Sequence, residues 1–480
     1  MHATTGQCEQ RSFHQYLMIA LPAMLLAMVS LALIVTGNLN GRGAFDQINY
    51  HEPAIRTFAS QLPEPDVSDY LSATTPGYHL ALAGVARTLS DSKTALRLTG
   101  LVFSVVLVLL CARWITKRTD VSAAIWLSLP FASSLYVVSS AAWLLPDNAG
   151  WLGVACVIML ALSDLKLVHR LVFASTVLVL LVCVRQIHIW VAACVWASAW
   201  MHAAPVSTPT NALQSMAPPL NHAGRRITHA ILAIAASAPA FGALLWFKHV
   251  WNGHLTPPTF VNYHNSGLNP SALAFMLAVV ALFSIPFAPV LWPQLKAIAT
   301  NHRTPLAFLF CVAVVVAVVA PTSYSENAGR FSGIWNIAEK LPAPANRSML
   351  IVPLAIAGSF ALICWLSIVG TTERWILAGA FIAYAAAMTA SFQVWQRYVE
   401  PFSLLFLLFV CTYALLNRPN ARHHIIRGSV VLAMIMCAIT TGKLVKSKQA
   451  ELLDDPTPWL RAEQPSPILS VSEGPEDSDQ

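Results

Sequence analysis

Charged residues are scarce in this sequence. Of its 480 residues, 29 are lysine or arginine and 22 are aspartate or glutamate, so 11% are charged, whereas 56% are hydrophobic. A soluble globular protein usually has about 25% charged residues and at most about half apolar residues. The composition therefore excludes a soluble protein and an intrinsically disordered chain. It indicates a polytopic membrane protein.

Several common chemical motifs are also missing. The nine cysteines show no CxxC spacing, and all but Cys8 fall inside or at the edge of apolar runs. They are typical of packing residues rather than of a zinc site, a redox site or a disulfide scaffold. The sequence has no GxxxxGK[ST], no GxGxxG after a strand, no GxSxG and no kinase motif set. No patch interleaves basic and aromatic residues, so no nucleic-acid partner is expected.

Long apolar runs dominate what is present. A helix needs about 20 apolar residues to cross roughly 30 Å of hydrocarbon. The first run, Tyr16 to Thr36, is too long for a typical signal-peptide core and is predicted to be a retained anchor. The sequence predicts an all-α polytopic membrane protein with about 13 spans, between 12 and 14. The predicted spans are residues 16–36, 95–112, 122–142, 148–163, 168–184, 187–202, 228–247, 271–293, 305–320, 349–369, 375–392, 400–416 and 428–443.

The charges of the loops predict the orientation of the chain in the membrane. They also decide whether residues 76–89 are a further span or a helix at the membrane interface. If residues 76–89 do not cross, most lysines and arginines of the loops fall on one side with few acids. Because these residues concentrate in cytoplasmic loops, that arrangement is favoured and places residues 76–89 at the outer interface. The predicted cytoplasmic loops are residues 113–118, 166–170, the segment ending at Arg225 and Arg226, 296–303, 371–374 and 417–427.

The sequence divides into a membrane domain, residues 1–450, and a short tail, residues 451–480. The first outer loop, residues 37–94, is predicted to contain two short interfacial helices, one starting at Pro53 and one at residue 76. The tail holds eight acids and five prolines. It is predicted to be disordered and solvated.

The dense polar clusters all fall on the predicted outer face. Ionisable groups at membrane depth are costly and usually mark function, so this face is where chemistry is expected. The clusters are FDQINYHEP (45–53), TTPGYH (74–79), LLPDN (144–148), VRQIHIW (184–190), WNGHLTPPTFVNYHN (251–265), SYSENAGRFSGIW (323–335) and QVWQRYVEP (393–401).

Four of these charges also have plain structural interpretations. Asp46 could be a loop carboxylate or a helix cap, and Asp147 could cap the helix that follows it. Arg185 has no nearby acid in the sequence, so it either pairs with a distant carboxylate or binds an anion. Arg397 could pair locally with Glu400.

Two further groups of polar residues stand in the later outer loops. Glu326, Asn327 and Arg330 fall in a loop long enough to suggest a functional segment, although solvated charge is the plain alternative. His254 and His264 share one loop, but no HxH, HExxH or DxD pattern accompanies them. A divalent metal is therefore possible but not indicated, and no cofactor is predicted.

In these clusters the sequence resembles the GT-C superfamily of glycosyltransferases, which use lipid-phosphate sugars as donors. The nearest likeness is the dolichyl-phosphate-glucose-dependent alpha-1,2-glucosyltransferase family, and the motifs follow the same order between about residues 45 and 401. Gln47 stands where that family has a glutamate, and a single Pro76 replaces a double proline. The residues that carry the resemblance are Asp46, His51, Thr74, Thr75, Pro76, Gly77, Asp147, Arg185, Gln186, Trp190, Asn327, Arg330, Arg397 and Tyr398.

The resemblance implies an inverting hexosyltransferase. It would move a hexose, expected to be glucose, from a polyprenyl-phosphate sugar to a hydroxyl of a lipid-linked or cell-envelope glycan. Asp46 would be the general base. The residues expected to bind the donor phosphate are Arg397, Arg185, Arg330 and His51. The residues expected to bind other parts of the substrates are Asp147, Gln186, Glu326, Asn327, Thr75 and Tyr398.

Two other functions remain open at this stage. A transporter or lipid flippase would place charged or broken helices near the middle of the membrane. A transferase similar to O-antigen ligases would use a lipid diphosphate and an Arg/His pair in a late outer loop, against which the early acidic loop argues. The expected location is the bacterial inner membrane, with the active site facing the periplasm.

Overall fold

The computed structural model describes residues 4–39, 41–204, 221–261, 267–301 and 303–452. Within these ranges the regular elements are helices, and the β-type pairing is one isolated bridge between Ser325 and Arg330. The predicted all-α class is confirmed. His264 and residues 453–480 of the predicted tail lie outside the described residues.

Twenty α-helices follow one another along the described chain. The first ten are α1 (Thr4–Val35), α2 (Arg42–Asp46), α3 (Glu52–Gln61), α4 (Gly77–Thr88), α5 (Lys93–Thr116), α6 (Val121–Ala132), α7 (Leu135–Ala142), α8 (Asp147–Ala161), α9 (Leu167–Val184) and α10 (Ala192–Met201). The second ten are α11 (Ala223–Val250), α12 (Pro258–Val261), α13 (Ala272–Ser284), α14 (Ala288–Asn301), α15 (Arg303–Val319), α16 (Ile334–Ala338), α17 (Ile351–Ile368), α18 (Thr371–Thr389), α19 (Gln396–Asn417) and α20 (Arg422–Leu452).

The chain is a multi-pass membrane protein. Of the helices in the described residues, 8 are long and apolar enough to cross a membrane, and the bent pair α6 and α7 would make a ninth span. Every predicted span overlaps one helix or two consecutive helices. Two of the helices that overlap predicted spans, Asp147–Ala161 and Thr304–Val319, are apolar but shorter than the 8 candidate membrane helices. The count of about 13 crossings therefore stays a prediction.

A sharp bend separates α6 from α7. Asp120 caps the start of α6, where its Oδ1 accepts a hydrogen bond from the amide of Ala123 at 3.1 Å. Pro130 lies near the end of α6, where its ring removes a backbone donor, and the axes of the two helices differ by 76°. At the bend, Ser134 donates from Oγ to Glu400 of α19 at 2.6 Å. The bend is thereby tied to the helix that carries Arg397.

The two helices predicted in the first outer loop are present as α3 and α4. The two helices pack on each other, and Phe58 of α3 is fully buried. The centroid of its ring lies 5.0 Å from that of Tyr70, in the segment between the two helices. At about 1.5 Å per residue, the 12 residues of α4 are too short to cross roughly 30 Å of hydrocarbon. The loop therefore adds a layer of packed side chains at one end of the helical body.

Helices α13 and α17 approach each other closely at Gly358. A Cβ atom at this position would overlap the carbonyl oxygen and carbon of Leu277 on α13. Because backbone atoms line the contact, the surroundings have little room to yield. Small residues commonly permit such approaches between membrane helices.

We expect Gly358→Ala to destabilise the protein by about 1 to 3 kcal/mol, because the added methyl overpacks the α13–α17 contact. Gly242→Ala on α11 is the matched control, since a Cβ there meets no atom within 4 Å. Thermal unfolding of the purified variants in detergent measures both effects. Equal melting temperatures for the two variants would contradict the close contact.

Candidate active site

Two aspartates and two arginines from four separate segments meet at one end of the helical body. Arg397, in the first turn of α19, donates from Nη1 to Asp46 at the end of α2 and from Nη2 to Asp147 Oδ2 at 2.7 Å. Arg185, directly after α9, donates from Nη1 to Oδ1 of the same Asp147, at the start of α8. We call these four residues the Asp–Arg cluster. All four were predicted from the sequence to be site residues, and the structure brings them together.

Burial makes the pairing within the Asp–Arg cluster necessary. Asp46, Asp147 and Arg185 are 7%, 4% and 9% exposed. An isolated buried charge costs several kcal/mol, which only a partner of opposite sign and good hydrogen bonds can offset. Two carboxylates and two guanidinium groups balance each other here. Removing any one of them leaves a buried charge without its full set of partners.

Helix ends contribute to the electrostatics of the cluster. Asp147 lies in the first turn of α8, where the positive end of the helix dipole favours a carboxylate. Arg185 follows the carboxyl end of α9, where a cation is favoured. Arg397 lies at the amino end of α19, which disfavours a cation. The two aspartates on its guanidinium group offset that effect.

Aromatic rings and a third arginine surround the cluster. The guanidinium carbon of Arg185 lies 5.1 Å from the centre of the Tyr398 ring, and Tyr398 stacks on Trp395 at 5.6 Å with an interplanar angle of 8°. Arg42 lies over Trp395 at 5.4 Å, and its Nε is 3.3 Å from Oδ1 of Asp46. Sequence reasoning missed Arg42. Its position four residues before Asp46, within one helical turn, was the available signal.

The arginines of the cluster keep some of their hydrogen-bonding capacity. A guanidinium group has five N–H donors. In the described part of the chain, Arg185 uses Nη1 for Asp147 and directs neither Nε nor Nη2 to a protein acceptor. The cluster can therefore bind a further anion through Arg185.

Two histidines form a buried pair beside the cluster. His51 Nδ1 lies 2.9 Å from His79 Nε2, and both side chains are buried. Burial, and next the charge of Arg397, lower the pKa of His51 to about 3. The imidazole is therefore neutral near pH 7. In this state it could meet the predicted phosphate as a hydrogen-bond partner but not as a cation.

Thr75 and Gln186 have their polar atoms engaged within the protein. The Thr75 amide donates to Gln186 Oε1 at 3.0 Å, and its hydroxyl donates to the carbonyl of Val182 at 2.6 Å. Gln186 Nε2 donates to the carbonyls of Ala73 and Leu255 at 2.7 and 2.8 Å. These bonds fasten the first outer loop to the end of α9, next to Arg185. A direct role for either residue in substrate binding stays a prediction.

The later outer loop lies over the start of α19 rather than on the aspartates. Gly329 accepts a hydrogen bond at its carbonyl from the amide of Val394 at 2.9 Å. Glu326 is exposed and accepts from the hydroxyl of Tyr324. Arg330 donates from Nε to the carbonyl of Ser323 at 2.8 Å, and among the described residues it contacts neither aspartate. Substrate binding by Glu326, Asn327 and Arg330 is untested by this geometry.

The local pair between Arg397 and Glu400, which the sequence left open, is not formed. Glu400 is buried and accepts from Ser134 Oγ at 2.6 Å and from Gln396 Nε2 at 2.7 Å. Arg397 instead pairs with Asp46 and Asp147, which lie 351 and 250 positions earlier in the sequence. No group of three or more His, Cys, Asp or Glu side chains in the described residues is placed to hold a metal ion.

Gln47, directly after Asp46, is a residue whose structural role the sequence did not reveal. It is fully buried, and its Nε2 donates to Glu52 at 3.0 Å. Its Oε1 accepts from Arg97 Nε at 2.9 Å and from the amide of Leu144 at 3.3 Å. Gln47 thus joins the segment carrying Asp46 to α3, to α5 and to the loop that precedes Asp147.

Comparison with known proteins finds no matching family model and no matching curated protein. Two similar solved structures are crystal structures of ArnT from Cupriavidus metallidurans, one in the apo state and one bound to undecaprenyl phosphate. Each is 14% identical to this chain and covers 86% of it. The apo structure is covered over 74% of its length with a TM-score of 0.39, and the undecaprenyl phosphate complex over 75% with a TM-score of 0.38.

Proposed function

We propose that this protein is an inverting glycosyltransferase of the GT-C type, which transfers a sugar from a polyprenyl-phosphate donor to an acceptor hydroxyl at the membrane surface. The observation that carries the proposal is the Asp–Arg cluster, a buried site with two carboxylates and two guanidinium groups at the ends of membrane helices. Such a site combines a candidate base with candidate anion-binding groups. Both are needed to displace a lipid phosphate.

In the proposed reaction, the acceptor oxygen attacks the anomeric carbon from the face opposite the leaving group. The new carbon–oxygen bond forms as the bond to the phosphate oxygen breaks, and the electron pair leaves on the phosphate. Asp46 takes the hydroxyl proton as the general base. The configuration at the anomeric carbon is therefore inverted in a single displacement.

The donor phosphate binds to Arg185 and Arg397 in this scheme. Arg185 has N–H donors that the described residues do not engage, and the rigid fork of a guanidinium group fits two phosphate oxygens at once. Positive groups held in place before the reaction stabilise the charge that develops on the leaving phosphate. Tyr398 keeps Arg185 over its ring and so restricts the orientation of that group.

Donor binding and base activation are coupled in the proposed mechanism. Arg397 donates to Asp46 in the described structure, so one carboxylate oxygen of Asp46 is engaged. A phosphate that engages Arg397 competes with Asp46 for its N–H groups. Donor binding therefore frees an oxygen of Asp46 to accept the proton of the acceptor hydroxyl.

We further propose the substrates that the sequence resemblance implies. The donor sugar is a hexose, with glucose the first to test, and the acceptor is a hydroxyl of a lipid-linked or cell-envelope glycan. The reaction takes place on the periplasmic face of a bacterial inner membrane. Arg330 and His51 are additional candidates for the phosphate, and Asp147, Gln186, Glu326, Asn327, Thr75 and Tyr398 for other parts of the substrates.

A panel of radiolabelled polyprenyl-phosphate sugars, supplied to membranes with and without the protein, tests the proposed function. We expect protein-dependent transfer of label from at least one of them into a glycan or glycolipid fraction. The anomeric configuration of the product should be inverted. Transfer from lipid diphosphates alone would favour the ligase-like alternative. No transfer from any donor would overturn the proposal.

A transporter or flippase is the second candidate, because one structural observation favours it. Helices α6 and α7 form a broken span, and the buried carboxyl group of Glu400 meets Ser134 at the break. The members of the Asp–Arg cluster, in contrast, lie at helix ends, which suits an enzyme at the membrane surface. Protein-dependent movement of a lipid-linked sugar across vesicles, without transfer of the sugar, would support the second candidate.

A further inference from the structure

The carboxyl end of α5 lies away from the Asp–Arg cluster, since Arg97 near its amino end contacts Gln47, the neighbour of Asp46. A cavity of about 390 Å³ opens between α5, α8 and α9. Apolar side chains form most of its wall, including Leu110 of α5, Leu160 of α8 and Val177 of α9. Phe173 lies at its edge with 52% of its surface exposed. In a membrane such an opening faces lipid chains.

Two basic residues stand at one end of this cavity. Arg113 is in the last turn of α5, and Lys117 follows one helical turn later. Both side chains are exposed, and in the described part of the chain neither forms an ion pair with a carboxylate. Like charges four residues apart on a helix repel each other. An anion bound between them would remove that repulsion.

The indole ring of Trp114 is a fixed part of the cavity wall. Trp114 is 7% exposed and lines the cavity. Its ring is fixed by the guanidinium group of Arg118 at 4.1 Å and by the edge of Phe409 at 4.8 Å. Because its Nε1 atom is itself buried, the ring presents an apolar surface to the cavity.

We infer that this cavity binds an anionic phospholipid of the surrounding bilayer. One acyl chain lies along the apolar wall, and the phosphate lies between Arg113 and Lys117. Basic pockets between membrane helices commonly select anionic headgroups. A zwitterionic lipid would bring its own cation toward the two basic residues, so it fits less well.

The test compares phosphatidylglycerol and phosphatidylcholine with the same acyl chains, added in equal amounts to the delipidated full-length protein and counted by native mass spectrometry. Each lysine or arginine contributes about 1 kcal/mol to binding an anionic lipid, so two residues give about a 30-fold preference for phosphatidylglycerol. The double variant Arg113→Gln/Lys117→Gln should lose this preference. The double variant Arg225→Gln/Lys296→Gln is the matched control, because it removes two exposed basic residues elsewhere.

Two further measurements separate the headgroup from the chain. Trp114→Phe should leave binding of both lipids unchanged, since it keeps an aromatic ring in the cavity wall. Val177→Phe should fill the apolar part of the cavity and weaken binding of both lipids. Inorganic phosphate should not displace phosphatidylglycerol, because it cannot occupy the apolar wall.

Three outcomes would overturn the inference: equal binding of the two lipids, equal loss of preference in the control variant, or displacement by inorganic phosphate. Melting temperatures identify any variant that fails to fold. A double variant of that kind is replaced by the single variants Arg113→Gln and Lys117→Gln, each of which should reduce the preference about 5-fold. The measurement uses no sugar donor, so its result is independent of the proposed transferase activity.

Discussion

Asp46→Asn is expected to lower sugar transfer by about 10² to 10⁴-fold, which is the usual contribution of a general base. The asparagine keeps the size of the side chain and can still accept a hydrogen bond from Arg397, but it cannot take the acceptor proton. The cluster also becomes more positive. The Michaelis constant for the anionic donor should therefore not rise, and the loss should appear in kcat.

Asp91→Asn is the control for this experiment. Asp91 belongs to the same first outer loop and is exposed, so its variant should retain full transfer. Both proteins should enter the membrane and elute as folded species in detergent. A purified, folded Asp46→Asn enzyme with full activity would remove Asp46 from the role of base.

The second large effect is expected at Arg397. Arg397→Lys keeps the charge, but a single ammonium group cannot reproduce the two parallel contacts to Asp46 and Asp147. A hydrogen bond to a charged group contributes about 1.5 to 3 kcal/mol, so the Michaelis constant for the donor should rise by about 10 to 100-fold. Arg397→Ala should weaken donor use further. Steady-state kinetics against donor concentration measures both variants.

Stability must be separated from donor binding in the Arg397 variants. Arg397→Ala leaves two buried carboxylates short of a partner, which typically costs about 3 to 5 kcal/mol. Arg397→Gln combined with Asp46→Asn removes one charge of each sign and leaves the pair between Arg185 and Asp147 intact, so it should recover stability without recovering donor use. Arg418→Ala, an exposed residue directly after α19, is the matched control. If folded Arg397→Lys has an unchanged Michaelis constant for the donor, the donor phosphate would be assigned to Arg185 or Arg330 instead.

The positions of the helices could be predicted because apolar runs bounded by charged residues mark them. The runs at residues 16–36 and 400–416, for example, overlap α1 and α19, although α1 begins earlier, at Thr4. The break within residues 122–142 was not visible, since that run is apolar on both sides of Ser133 and Ser134. Helix α3 was predicted from its flanking prolines, and α4 was predicted to lie at the interface from the charges of the loops. Breaks inside apolar runs need tertiary information.

The residues of the Asp–Arg cluster could be identified from the sequence, but the ion pairs between them could not be predicted. Asp46, Asp147, Arg185 and Arg397 were identified as charges at helix ends on one face. The nearest acid to Arg397 in sequence is Glu400, yet the guanidinium group binds aspartates from the first third of the chain. Short-range charge patterns carry no information about such contacts. The catalytic and binding roles of these residues stay predictions until the kinetic experiments are done.

The long sequence separation of the Arg397 contacts has a consequence during synthesis. Asp46 leaves the ribosome 351 residues before Arg397 does. At about 5 to 20 residues per second, the delay is roughly 20 to 70 s. During that interval Asp46 and Asp147 lack the guanidinium group of Arg397, although Arg42 and Arg185 are made earlier and are available to pair with them. Insertion of α19 therefore completes the Asp–Arg cluster, and the nascent chain lacks the full cluster until that helix has been made.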